Sequence, residues 1–141
     1  MQVALSGALL GLIMGLVFVG HMTYAVVYFM PDTIERRFSN ADATALPRLV
    51  FLGTAATVPG LGVLGALLAL LSTVLEDFAG TGFDPIPSIP YFIFILIFAV
   101  STAPVAMGLL RPIRLHVLFE YVLFVGLFGV AIPWLANSVQ G

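Results

Sequence analysis

The chain alternates long apolar runs with short polar segments, and the apolar runs have the length of membrane spans. A helix needs about 20 apolar residues to cross a hydrocarbon core of about 30 Å. Runs of this kind cover about residues 3–30, 49–75, 91–110 and 113–135. We therefore predict an all-α integral membrane protein with four transmembrane helices, in a single transmembrane domain that covers residues 1–141.

Proline marks the ends of these runs and interrupts two of them. A proline lacks the backbone N–H, which is tolerated at a helix start and disrupts a helix interior. The prolines at predicted boundaries are Pro31, Pro47, Pro90 and Pro112. Pro59 and Pro104 fall near the middle of the second and third spans, where we expect helix kinks. The pattern predicts an antiparallel bundle with a kinked second and a kinked third helix.

The basic residues occupy only the first and third connections between the spans. They are all arginines: Arg36, Arg37, Arg48, Arg111 and Arg114. Short loops rich in arginine stay on the cytoplasmic side of a membrane. We therefore predict a multi-pass protein of the cell membrane, with loops 31–48 and 111–114 in the cytoplasm and both termini outside.

Each of the two long connections has a second interpretation. The first is long enough for an interfacial helix, with Ser39 and Asp42 spaced as a capping box and arginines that could bind anionic headgroups. The alternative is an ordinary solvated loop. The second connection carries Glu76, Asp77 and Asp84, which indicates a stiff acidic loop, or a calcium site that lacks EF-hand spacing.

Composition supports the membrane class and excludes several functions. Hydrophobic residues make up 61% of the chain and charged residues 9%, whereas a soluble domain has about 25% charged residues. The net charge of −2 does not favour nucleic acid, so we predict no nucleic-acid partner. The absence of cysteine excludes disulfides, thiolate catalysis and iron–sulfur clusters. No catalytic spacing occurs, and we expect no enzyme that acts alone.

Small residues recur at helical spacing and predict close packing between helices. Membrane helices associate where small residues let two backbones approach. The packing candidates are Gly7, Gly11 and Gly15 in the first span and Gly126 and Gly129 in the fourth. The second span has many small residues, among them Gly53, Ala56 and Gly60, which suggests contacts on more than one side. We predict a homo-oligomer or a hetero-complex in the lipid bilayer.

A small set of polar residues lies inside the apolar runs. Charged groups within a span are costly to insert, at about 2.5–3.5 kcal/mol near the centre, and mark functional positions. Glu120 is the carboxylate at such a position, and His116 lies one helical turn before it on the same face. His21 in the first span has a similar depth to Glu120, with Tyr24 next to it. If the first and fourth spans are neighbours, these four side chains form one polar cluster. The methionines, Met22 among them, are assigned to the core or the lipid face.

Four interpretations of the predicted cluster remain open. It could be a structural hydrogen-bond network, a proton or ion path, a metal site of two histidines and a carboxylate, or a bis-histidine haem b site. The first leads to an accessory subunit that contributes packing to a membrane assembly. The second leads to an autonomous oligomeric transporter or channel that uses Glu120. The last two lead to an electron-transfer subunit, although no cofactor follows from the sequence itself and any metal is unknown.

Overall fold

The computed structural model describes residues 1–38, 44–79 and 88–140, and these residues form helices with no strand among them. The helices are α1 (Gln2–Phe29), α2 (Pro31–Phe38), α3 (Ala45–Ala79), α4 (Ile89–Leu109), α5 (Arg114–Phe124) and α6 (Ile132–Gln140). A 3-10 turn at Arg111–Ile113 precedes α5, and a π-helix at Val125–Ala131 joins α5 to α6.

Four helical segments are long and apolar enough to cross a membrane. They are Gln2–Phe29, Ala45–Asp77, Ile89–Leu109 and Arg111–Val139, and the last combines α5, the π-helix and α6. The prediction of an all-helical chain with four candidate membrane-spanning helices is therefore confirmed. Pro59 lies inside α3 and Pro104 inside α4. The kinks at these prolines and the antiparallel order of the whole bundle stay predictions.

The first connection begins with a short helix, α2, in the arginine-rich segment that is long enough to hold one. Helix α2 starts at Pro31, at the helix position where a missing N–H matters least, and has Asp32 in its first turn, where a carboxylate meets the positive end of the helix dipole. The capping-box residues Ser39 and Asp42, and Asp84 of the acidic loop, lie outside the described residues.

Helices α1 and α3 touch through their backbones. A Cβ atom added to Gly7 would overlap the Gly65 carbonyl oxygen, and one added to Gly11 would overlap the Leu61 carbonyl oxygen. At Gly15 it would lie 2.8 Å from the Val58 Cα atom. From Gly7 to Gly15 the residue numbers of the contacts increase along α1, while those of their partners on α3 decrease from 65 to 58. Only glycine permits this approach, because any side chain would separate the two helices.

The two glycines of the fourth span differ in their surroundings. A Cβ atom at Gly129 would lie 3.1 Å from the Phe92 ring, so this glycine lies against α4. At Gly126 nothing described lies within 4 Å of that position, so the structure brings Gly126 to no neighbouring helix. Gly126 is exposed, so it lies on the outside of the bundle.

A tyrosine on α4 compensates for a proline on the fourth span. Ile132 donates its backbone N–H to the Leu127 carbonyl, five residues back, which is the π-helical pattern. In that pattern the Phe128 carbonyl would accept from residue 133, but Pro133 has no N–H. The Tyr91 hydroxyl, fully buried, donates to the Phe128 carbonyl oxygen at 2.7 Å instead. Tyr91 therefore satisfies a backbone group that neither lipid nor the helix can serve.

Tyr91→Phe should destabilise the protein by about 1–3 kcal/mol, because it leaves the buried Phe128 carbonyl without a donor. In a Pro133→Ala background the new backbone N–H can reach that carbonyl, so the same substitution should cost less. The free energy of unfolding in mixed micelles, measured by titration with a denaturing detergent, tests both statements. Tyr24→Phe is the matched control, since Tyr24 is 55% exposed. Equal losses in both backgrounds would contradict the assignment.

Candidate functional site

A hydrogen-bonded chain of three side chains connects α1 to α5. The Nδ1 atom of His21 lies 2.5 Å from Oε1 of Glu120. The Nε2 atom of the same ring lies 2.9 Å from Nδ1 of His116. With Glu120 ionised, His21 Nδ1 is the donor of the first bond, because a carboxylate only accepts. We call Glu120, His21 and His116 the triad.

Local packing positions the triad where two helices meet. His116 and Glu120 are one helical turn apart on α5, so their side chains leave the helix on the same side. Ala25, Ile113 and Val117 form a buried cluster beside the triad and join α1 to the start of the fourth span. The triad therefore lies on a packed contact between two spanning helices.

Glu120 is buried and only partly satisfied. The residue is 3% exposed, and its Oε2 atom has no hydrogen-bond partner among the described residues. A carboxyl oxygen in such a position is costly, since water cannot replace the missing bond. One oxygen of Glu120 is thus fixed by His21, and the other is enclosed without a partner among the described residues.

The other end of the triad lies nearer the arginines. Along the helix axis His116 is about 3 Å from Arg114, whereas Glu120 is about 9 Å from it. The Phe29 ring packs against His116 with a centroid distance of 4.8 Å, and the Phe119 ring meets His21 edge-on at 5.1 Å. His116 lies one helical turn nearer the arginines than Glu120 does, and the His21 ring connects the two side chains.

A cavity of about 300 Å³ lies between all four spanning segments, and Glu120 forms part of its wall. The rest of the wall is mainly aromatic, methionine and aliphatic side chains, including Phe18, Phe98, Phe124, Met14 and Met22. Glu120 therefore joins two different surroundings, the histidines on one side and an apolar cavity on the other.

Tyr24, the remaining member of the predicted cluster, lies apart from the triad. Its ring is 55% exposed and stacks on Tyr28 with a centroid distance of 5.6 Å. The next turn of α1 thus presents an aromatic pair to the outside of the bundle. The structure brings together His21, His116 and Glu120 and leaves Tyr24 on the surface.

The contact between the two histidines has the spacing of a hydrogen bond. An ion bound tetrahedrally at about 2.0–2.1 Å holds two imidazole nitrogens about 3.3 Å apart, whereas His21 Nε2 and His116 Nδ1 are 2.9 Å apart. Both nitrogens of His21 already face protein partners. Within the described parts of the chain, no group of three or more His, Asp or Glu side chains is arranged to hold a metal ion. A metal or haem b would need the two rings to separate.

No protein-family model, curated protein or solved structure matches this chain. Functional conclusions therefore depend on the geometry of the triad and the cavity.

Several residues of the site gave no signal in the sequence. Met22, assigned to core or lipid, lines the cavity, as does Thr57 on α3. Phe29 and Phe119, which enclose the histidines, resemble any other phenylalanine of a membrane span. A cavity built from four segments has no sequence period of its own, so only the assembled bundle reveals these residues.

His21→Ala should destabilise the protein strongly, by about 3–5 kcal/mol, because it leaves both Glu120 oxygens buried without a partner. The double variant His21→Ala/Glu120→Leu should recover most of that loss, since it removes the carboxyl group as well. His116→Ala removes one outer hydrogen bond and should cost about 1 kcal/mol. Unfolding free energies of the wild type, His21→Ala, Glu120→Leu and the double variant in mixed micelles give the coupling. If the free-energy losses of the two single variants add up to the loss of the double variant, the two side chains do not stabilise each other.

Proposed function

We propose that this small multi-pass membrane protein is a transporter or channel that moves protons, with Glu120 as the group that takes up and releases the proton. The observation that supports this proposal is the unpartnered Oε2 atom of a buried Glu120 at the wall of a cavity. Most buried side-chain oxygens have a hydrogen-bond partner, so an unpartnered one favours a functional role. The histidine bond on the other oxygen gives the proton a route onward.

The triad has the order that a proton relay requires. A proton that reaches Glu120 from the cavity can pass to His21, and from there across the 2.9 Å contact to His116. Imidazole suits this role because one nitrogen can accept a proton while the other donates one. His116 is partly exposed and close to Arg114, so it is the member that exchanges protons with water.

The proposed orientation places one end of the relay on the cytoplasmic side. In an antiparallel bundle with both termini outside, the arginines and His116 belong to the cytoplasmic half. The cavity wall runs from Leu110, next to Arg111, to Met14, about 12 Å beyond Met22 along α1. Protons would then pass between the cavity at Glu120 and the cytoplasmic surface at His116. Bends at Pro59 and Pro104, one in each of two helices around the cavity, belong to the same proposal.

Proton uptake into proteoliposomes tests the relay. With a membrane potential imposed by potassium and valinomycin, an internal pH dye should report faster proton entry than in empty liposomes. Glu120→Gln should reduce this entry at least about tenfold, because a neutral amide cannot carry the proton. Tyr24→Phe, which alters an exposed tyrosine outside the triad, should leave it unchanged. Proton entry that is equal in the wild type and in Glu120→Gln would refute the proposal.

A second candidate function is that of a subunit that packs into a larger membrane assembly. Gly53, Ala56 and Gly60 lie on one face of α3, and each is exposed. A Cβ atom added to Gly53 or Gly60 would meet nothing described within 4 Å. Small residues on an open helix face favour association with another helix. The partner would be a second copy of this chain or a different subunit.

Cysteine cross-linking tests this face without background, because the chain contains no cysteine. With an added mild oxidant, Ala56→Cys should form a disulfide-linked dimer in native membranes if two copies meet there. Val100→Cys, on an exposed position of α4, is the control and should stay monomeric. Denaturing gels without reductant give the result. Monomeric Ala56→Cys protein in oxidised native membranes would count against association of two copies through this face.

A further inference from the structure

The cavity beside Glu120 has an unusual combination of surfaces. Its volume is about 300 Å³, enough for a molecule of roughly a dozen heavy atoms. Aromatic rings from three helices face it: Phe18 from α1, Phe98 from α4, and Tyr121 and Phe124 from α5. Among the described residues of the wall, Glu120 supplies the carboxyl group.

The free oxygen of Glu120 excludes two kinds of occupant. A neutral hydrocarbon would fill the apolar space but leave the buried Oε2 atom without a partner. A hard metal ion needs six or more oxygen ligands, and beside Glu120 the wall offers little more than the hydroxyls of Thr57 and Tyr121. An organic cation satisfies both features, because its charge pairs with the carboxylate while aromatic faces attract its charged and apolar groups.

We propose that the cavity binds a small monovalent organic cation, a quaternary or protonated amine with one aromatic or branched apolar group, in exchange for a proton. This inference rests on the proposed function, since it assigns a substrate class to the same Glu120. The cation lies against the part of the cavity wall that Glu120 forms, while Oε1 keeps its bond to His21.

Charge balance couples cation binding to proton release. The His21–Glu120 pair is neutral overall when it holds one extra proton, and a cation beside it would leave an uncompensated positive charge in an apolar cavity. The extra proton therefore leaves through His116 as the cation enters, and returns when the cation departs. The titratable groups that face Glu120 are His21 from α1 and His116 and Tyr121 from its own helix. The cavity residues of α3 and α4 are not titratable.

Equilibrium dialysis of the full-length protein in lipid nanodiscs tests this exchange. The probe is radiolabelled benzyltrimethylammonium, and empty nanodiscs give the background. We expect saturable binding that weakens by up to about tenfold for each pH unit towards acid, because protons compete for the same carboxylate. Neopentylbenzene, which has the same shape with carbon in place of nitrogen, should compete poorly.

Two variants distinguish the contribution of the Glu120 charge to cation binding from that of the aromatic wall. Glu120→Gln should weaken cation binding at least about thirtyfold. Phe98→Leu should weaken it about two- to thirtyfold through the lost cation–π contact, and it leaves the triad intact. Phe94→Leu, one turn away on the same helix and outside the cavity wall, is the matched control and should bind as the wild type does.

The remaining outcomes distinguish this inference from the proton relay. If the wild type binds no cation above background but still shows proton entry that depends on Glu120, the cation site is refuted and the relay stands. If the cation binds and Glu120→Gln binds it equally, or if neopentylbenzene competes as well as the cation, the cavity is an apolar site and the inference is overturned. If binding depends on Glu120 while liposomes show no proton entry, the cation site stands without the relay.

Discussion

A carboxyl group inside an apolar bundle has to find its hydrogen bonds within the protein, and the arrangement around Glu120 follows from this constraint. His21 meets one oxygen, and His116 in turn meets His21. The packed contact between α1 and the start of the fourth span brings these side chains together. The second oxygen remains without a partner among the described residues, and Glu120 also forms part of the cavity wall. The contacts around Glu120 and its proposed proton chemistry both depend on this carboxyl group, of which only one oxygen has a partner.

The same constraint governs the backbone of the fourth span. Pro133 would leave a carbonyl unsatisfied in any helical register, and the chain resolves this by a π-helical segment together with the Tyr91 hydroxyl. The two solutions share a logic: a polar group that lacks a partner on its own helix receives one from a neighbouring helix. In lipid, such bonds between helices also fix which helices are neighbours, since apolar contact alone is hardly selective.

Length and apolarity were sufficient to predict the helices, because they set the length of a span. Helical periodicity also placed His116 and Glu120 on one face, and depth counting brought His21 to their level. The features that the sequence did not predict depend on how each helix is rotated about its axis relative to the next helix. That rotation leaves Tyr24 outside and Met22 at the cavity. Pro133 was overlooked because its effect appears only when the hydrogen-bond register is known.

The glycine contact between α1 and α3 divides the bundle mechanically. Two backbones in direct contact have no flexible side chains between them to yield, so this helix pair acts as a stiff wall. The opposite wall is formed by α4 and α5. Both walls face the cavity through long side chains that can change rotamer, such as Met14 on the first and Phe98 on the second, so any change in cavity volume should come from these side chains. The His21–Glu120 bond fastens the two walls together at the arginine-bearing end, and a buried core that includes Leu68, Tyr91 and Phe128 joins them at the other end.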